Sequence, residues 1–156
     1  MINLNVSTMI YRPIKQVFNF MSAPENDFQW QCEILASARL SEGASTIGTL
    51  FRSIGHLMGR RVESTFEVTE YEANRKYGFK SLSGPLQSQT SYTFEIASGS
   101  TKITVSTQAN VVNFFQVGEG LLEKKMKKQL KDNLVMLKNV LEAKQVVHTA
   151  GNSLTQ

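Results

Sequence analysis

The stretch LLEKKMKKQLKDNLVMLKNVLEAKQVV, residues 121–147, holds neither glycine nor proline and repeats its apolar residues at helical spacing. On a 3.6-residue wheel, Leu122, Met126, Leu130, Leu134, Leu137, Val140 and Leu141 gather in one arc of roughly 120°. Lys124, Lys127, Lys128, Lys131 and Lys138 fall on the opposite side. A helix of this length spans roughly 40 Å at about 1.5 Å per residue. The chain before it reads almost wholly as strand. A single long helix that closes a run of strands needs a curved sheet to bury its apolar arc, and that arrangement points toward a cavity.

Upstream of the helix the periodicity is two. Residues 2–11 alternate, with Leu4, Val6, Thr8 and Ile10 on one face. Pro13 sits where the first turn of a helix tolerates it, and Ile14, Val17, Phe18 and Met21 follow at helical spacing, predicting a short helix over 13–22. Pro24 opens a second short helix, 25–31, whose large apolar residues are Phe28 and Trp30. Strands are then expected over 33–40, 49–58, 61–71, 76–81, 87–96 and 102–112. They are separated by turn signals such as Ser41-Glu42-Gly43, Ala73-Asn74-Arg75, Gly84-Pro85 and Ser98-Gly99. Short turns between strands imply antiparallel hairpins, so the fold class is α+β. The glycines of Gly118-x-Gly120 let the chain bend from the last strand into the helix; they lack the third glycine and the βαβ setting of a dinucleotide site.

At 156 residues the chain is one domain, 1–147, followed by a polar tail, 148–156, expected to be disordered. Its hydrophobic and charged fractions, 41% and 19%, are those of an ordinary globular protein. The net charge of +4 is carried by the long helix, where seven lysines face Glu123, Asp132 and Glu142. Those lysines read either as a solvated face or as a surface for anionic lipid or an acidic partner. Without interleaved aromatics or a reading motif they do not suggest nucleic acid. Cys32 is the only cysteine, and the N-terminal residues have no signal-peptide pattern, so a cytoplasmic location is expected. Two histidines and one cysteine supply no metal-ligand cluster, and no nucleophile motif is present, so neither metal nor cofactor is expected.

Several short motifs, in order, resemble the helix-grip superfamily of START-related lipid-transfer domains, pathogenesis-related plant proteins and bacterial polyketide cyclase/dehydrase-like proteins (SRPBCC). Arg12-Pro13 with Val17-Phe18 is similar to the superfamily's approach to its first helix. Ala23-Pro24-Glu25-Asn26 with Trp30 is similar to its second. Gly48, Gly59-Arg60 and the pair Leu137-Lys138, Leu141-Glu142 match further points along the chain, so the resemblance covers about residues 2–146. It implies a seven-stranded antiparallel sheet bent around the C-terminal helix, with an apolar cavity between them.

If the aromatic-bearing face of each strand points inward, the cavity wall includes Phe66, Tyr77, Phe79, Tyr92, Phe94, Val105 and Thr107. Met126, Leu130 and Leu134 would supply the helical side, and Phe28 and Trp30 one end. The plainer reading is that these side chains fill a solid interior. Tyr92, Thr107 and Ser64 are the polar groups that could orient a ligand. His56 is a general acid/base candidate, with Arg52 and Tyr92 as partners, or else an ordinary rim histidine. The alternation over 49–58 leaves open which face points inward, since both carry apolar residues. Arg52, Arg60 and Arg61 could hold a ligand anion, or could simply pair with Glu63 and Glu67 as edge charges.

The expected function is therefore binding of a small, largely hydrophobic molecule such as a lipid, isoprenoid or polyketide-like compound. The alternatives are a cofactor-independent cyclase, aromatase or dehydratase, and a lipid or quinone carrier that docks on membranes through the basic helix face. Whether the chain is a monomer or a homodimer stays open.

Overall fold

In a computed structural model the chain is described over residues 1–111 and 118–154, with side chains covered to residue 110 and over 118–143. Seven antiparallel strands form one sheet: β1 (Ile2–Ile10), β2 (Ile34–Arg39), β3 (Leu50–Leu57), β4 (Arg60–Glu72), β5 (Lys76–Ser83), β6 (Leu86–Ala97) and β7 (Ser100–Val111). Their spatial order is β1-β7-β6-β5-β4-β3-β2, so β1 and β2 are the two edges. The chain crosses between those edges through helix α1 (Ile14–Met21) and a 3-10 helix (Pro24–Gln29). Helix α2 (Glu119–Leu154) follows β7. This is the helix-grip arrangement that the resemblance implied.

The hairpins are made by residues suited to them. Met58-Gly59 joins β3 to β4 with φ of 53° and 78°, and Ser98-Gly99 joins β6 to β7 with 53° and 80°. Two consecutive positive φ values mark the tight turn whose twist matches that of the strands it joins. The sheet bends where its register shifts, between Ile34 and Ala36, Thr65 and Phe66, and Val68 and Glu70. An extra residue on one strand increases local twist and curls the sheet. Gly55 permits the first of these bends: a Cβ there would overlap the Glu33 carbonyl oxygen, which accepts the His56 N–H at 2.8 Å.

Helix α2 lies across the hollow of the sheet and is tied down at both ends of its described face. Glu119 pairs with the N-terminal ammonium and Glu123 accepts the Asn3 N–H at 2.9 Å. Farther along, Lys138 donates to the Met9 carbonyl at 3.0 Å, pairs with Glu142 at 3.2 Å and stands 3.9 Å above the Tyr11 ring. Lys138 therefore fastens the helix to β1, whereas Lys124, Lys125, Lys127, Lys128 and Lys131 are exposed.

Two expectations change. The second short helix, expected over 25–31, is a 3-10 helix over residues 24–29. Phe28 within it is 55% exposed, while Trp30, which caps its end, is buried. Helix α2 is longer than the sequence periodicity suggested, and the expected polar tail, 148–156, lies beyond the described side chains. The expected end of the last strand at residue 112 also falls outside the described residues.

Candidate functional site

The interior under α2 has two unlike halves. In one, Phe18, Tyr71, Tyr77 and Phe94 pack edge-on beside Leu134, Leu137 and Leu141, with ring centroids of 5.1–6.2 Å. Edge-to-face rings at such separations are a favourable arrangement, and this half is solid. In the other half the inward positions of the strands are small: Ser53 and Gly55 on β3, Ser64 on β4, Ser88 and Thr90 on β6, Thr107 on β7. Side chains of that size do not reach α2, and a cavity of about 210 Å³ remains. A single water needs roughly 10–15 Å³ by the same kind of measure, so the space is molecule-sized.

The helix records the same division. Leu122, Leu134, Leu137 and Leu141 of its apolar arc are buried, whereas Met126 and Leu130 between them are only half-buried because they face the cavity. The remaining wall is mostly apolar, from Leu4, Ile34, Leu57, Val62, Phe66, Phe79, Leu86 and Val105, with Trp30 and Tyr92 at one end. Phe79 stands edge-on to both Phe66 and Tyr92, at 5.4 and 5.7 Å.

Of the residues expected to line a cavity, Trp30, Phe66, Phe79, Tyr92, Val105, Thr107, Met126 and Leu130 do so. Tyr77, Phe94 and Leu134 belong to the solid half, one layer behind the wall, and Phe28 is at the surface. The open question on β3 resolves in favour of the small face. Phe51, Ser53 and Gly55 are buried, while Arg52 and His56 are exposed on the outer side. His56 contributes only to the rim of the cavity. Arg52 pairs with Glu63, Arg61 reaches the same carboxylate at 3.8 Å, and Glu67 pairs with Lys80 at 3.5 Å. The acid/base grouping of His56, Arg52 and Tyr92 is therefore not assembled: two members look outward and the third looks in.

The polar groups that do meet at the cavity come largely from elsewhere. Asn133, 4% exposed, lies within the apolar arc of α2 and donates through Nδ2 to both carboxylate oxygens of Glu33, at 3.1 and 2.9 Å. Its Oδ1 accepts the Cys32 N–H at 3.2 Å, which fixes the direction of the amide. Gln129, one turn earlier, also lines the cavity. Burial raises the Glu33 carboxyl pKa, and the Asn133 hydrogen bonds oppose that shift. Tyr92, hydrogen-bonded to the Gln31 side chain, has its phenol held well above its usual value by burial and by nearby Asp27. On the sheet floor the Thr90 and Thr107 hydroxyls bond each other at 3.0 Å. The sequence signal for Asn133 was a polar residue inside an otherwise apolar helical arc. Glu33 gave no comparable signal at the start of an edge strand.

Among the described residues no cluster of three or more metal-ligating side chains occurs, and no helix is long and apolar enough to cross a membrane.

Residues 1–142 match the family model described as polyketide cyclase/dehydrase and lipid transport. The chain belongs to this family. Solved structures agree on the fold. A START superfamily protein from Mycobacterium smegmatis superposes with a TM-score of 0.79 at 14% identity, covering 92% of this chain and 99% of that one. A protein from Thermus thermophilus gives 0.75 at 17% identity, covering 90% and 97%. The di-domain ARO/CYC protein BexL, of the BE-7585A biosynthetic pathway, gives 0.71 at 13% identity, covering 91% of this chain and 47% of that one. A search of curated protein sequences returned no match.

Proposed function

We propose that this protein binds one small, largely hydrophobic molecule in the cavity between the sheet and α2. The observation that carries this reading is the cavity itself, built by small residues on four strands beneath Met126 and Leu130. Burial of apolar ligand surface contributes about 25 cal/mol per Å², and the few polar groups orient what is bound. Membership in the family supports the same class of ligand: a lipid, an isoprenoid or a polyketide-like ring system. Catalysis is the weaker alternative, because His56 and Arg52 stand on the outer face of β3 and are not assembled with Tyr92.

Trp30 is the chain's only tryptophan and lines the cavity, so its emission reports occupancy directly. A panel of ring compounds, isoprenoid alcohols and single-chain lipids, titrated with Trp30 emission and thermal unfolding as readouts, tests the proposal. At least one member is expected to move both. A panel that leaves emission and melting temperature unchanged contradicts it.

The carrier reading is favoured by a separate observation, the exposed lysines of α2 beside exposed Leu121. Co-sedimentation with vesicles is its test: binding should require anionic lipid and weaken with salt. Binding indifferent to both would count against it.

A further inference from the structure

We propose that Glu33, held in place by Asn133, anchors a protonated amine, so that the cavity selects apolar amines over neutral or acidic molecules of the same shape. This rests on the binding reading above and narrows its ligand class. Among the described residues that line the cavity, Glu33 is the only acidic, lysine or arginine side chain. Eight other carboxylates, from Glu25 to Glu142, have a Lys, Arg or N-terminal partner among the described residues, but no described ion pair includes Glu33. Its partners are the neutral Asn133 amide, a backbone N–H and, at 3.7 Å, the Cys32 thiol.

Asn133 makes this arrangement specific. A buried amide in the apolar arc of a helix is costly unless its groups are satisfied. Here Oδ1 is committed to the Cys32 N–H, so Nδ2 must point at Glu33 and the carboxylate must accept. Asn133, the Cys32 thiol and a backbone N–H all donate to this carboxylate, but none of them brings a positive charge. An ammonium group at the cavity supplies that charge. Charge-assisted hydrogen bonds are about twice as strong as neutral ones, and a carboxylic acid ligand would be repelled. The upward pKa shift that burial imposes on Glu33 is relieved by such a cation.

Three probes of one shape separate the possibilities: adamantylmethylamine, adamantylmethanol and adamantanecarboxylate, titrated against Trp30 emission at pH 7. The wild-type protein is expected to bind the amine about tenfold or more tightly than the alcohol, and the carboxylate least. Glu33→Gln retains an oxygen for Asn133, so in this variant the preference for the amine over the alcohol should disappear. A cooperative thermal unfolding transition reports separately that the variant is folded. Equal affinity for amine and alcohol in the wild type, or an amine preference that survives Glu33→Gln, overturns the inference and leaves the binding reading intact. If none of the three binds while another apolar compound does, this inference again falls alone. If no compound binds, both fall.

Discussion

Replacing Ser88 by leucine puts three additional apolar carbons into the cavity, and the sign of the resulting stability change depends on whether the cavity is there. Ser88 lies on the inward face of β6 opposite Ala109 of β7, and its cavity neighbours are Leu86 and Thr90. At about 0.8 kcal/mol per buried carbon the substitution contributes roughly 2.4 kcal/mol. Ordering a leucine side chain costs about 0.5–1 kcal/mol. The net expectation is a stabilisation of about 1.5 kcal/mol, read as an increase in the urea midpoint at unchanged m-value. A melting temperature higher by roughly 3–6 °C should accompany it. The Ser88 N–H, which donates to Ser81 Oγ at 2.9 Å, is unaffected. In a solidly packed interior the same insertion costs about 1–3 kcal/mol. A destabilised Ser88→Leu protein with an unchanged m-value would therefore refute the reasoning. The variant should also lose the ligand-induced change in Trp30 emission, because the added side chain occupies the ligand's space.

Two further outcomes follow from the same geometry. Leu137→Ala removes a fully buried side chain in the solid half and should cost about 2–5 kcal/mol, whereas Leu130→Ala, already facing the void, should cost less than half of that; equal costs would mean the two halves are packed alike. Asp27 is buried, and burial together with Glu25 and Glu33 raises its pKa well above the usual carboxylate value. The folded state then binds the proton more tightly than the unfolded chain, so stability falls as pH rises from about 4 through the raised pKa. Asp27→Asn should raise the melting temperature at pH 7, and that advantage should fade toward pH 4; a difference that does not change with pH would refute it.

Periodicity carried the architecture because α2 and the strands are amphipathic over many residues. Leu122 to Leu141 could only face a sheet, and Met126 and Leu130 of that arc border the cavity. What periodicity could not supply was the cavity's cause. Ser53, Gly55, Ser64 and Ser88 weaken the alternation that identifies an inward face, so β3, with Leu50 and Ile54 half-buried outside, read ambiguously. The aromatic residues were treated as one lining, but their position along the strands divides them: Phe66 and Phe79 border the space, while Tyr77 and Phe94 fill the far half. Phe28, expected at one end of the cavity together with Trp30, is exposed on the 3-10 helix, whereas Trp30 just past its end is buried. Glu33 and Asn133 are a hundred residues apart and meet only when α2 passes the residues just before β2. Neither residue announces that contact locally.

The most direct test of the account is a crystal structure of the protein soaked with adamantylmethanol. Density for the adamantyl cage is expected between the sheet floor at Thr90 and Thr107 and the helix at Met126 and Leu130, in contact with Phe79. A structure in which Met126 and Leu130 pack directly on the sheet, leaving no space and no bound probe, would contradict it.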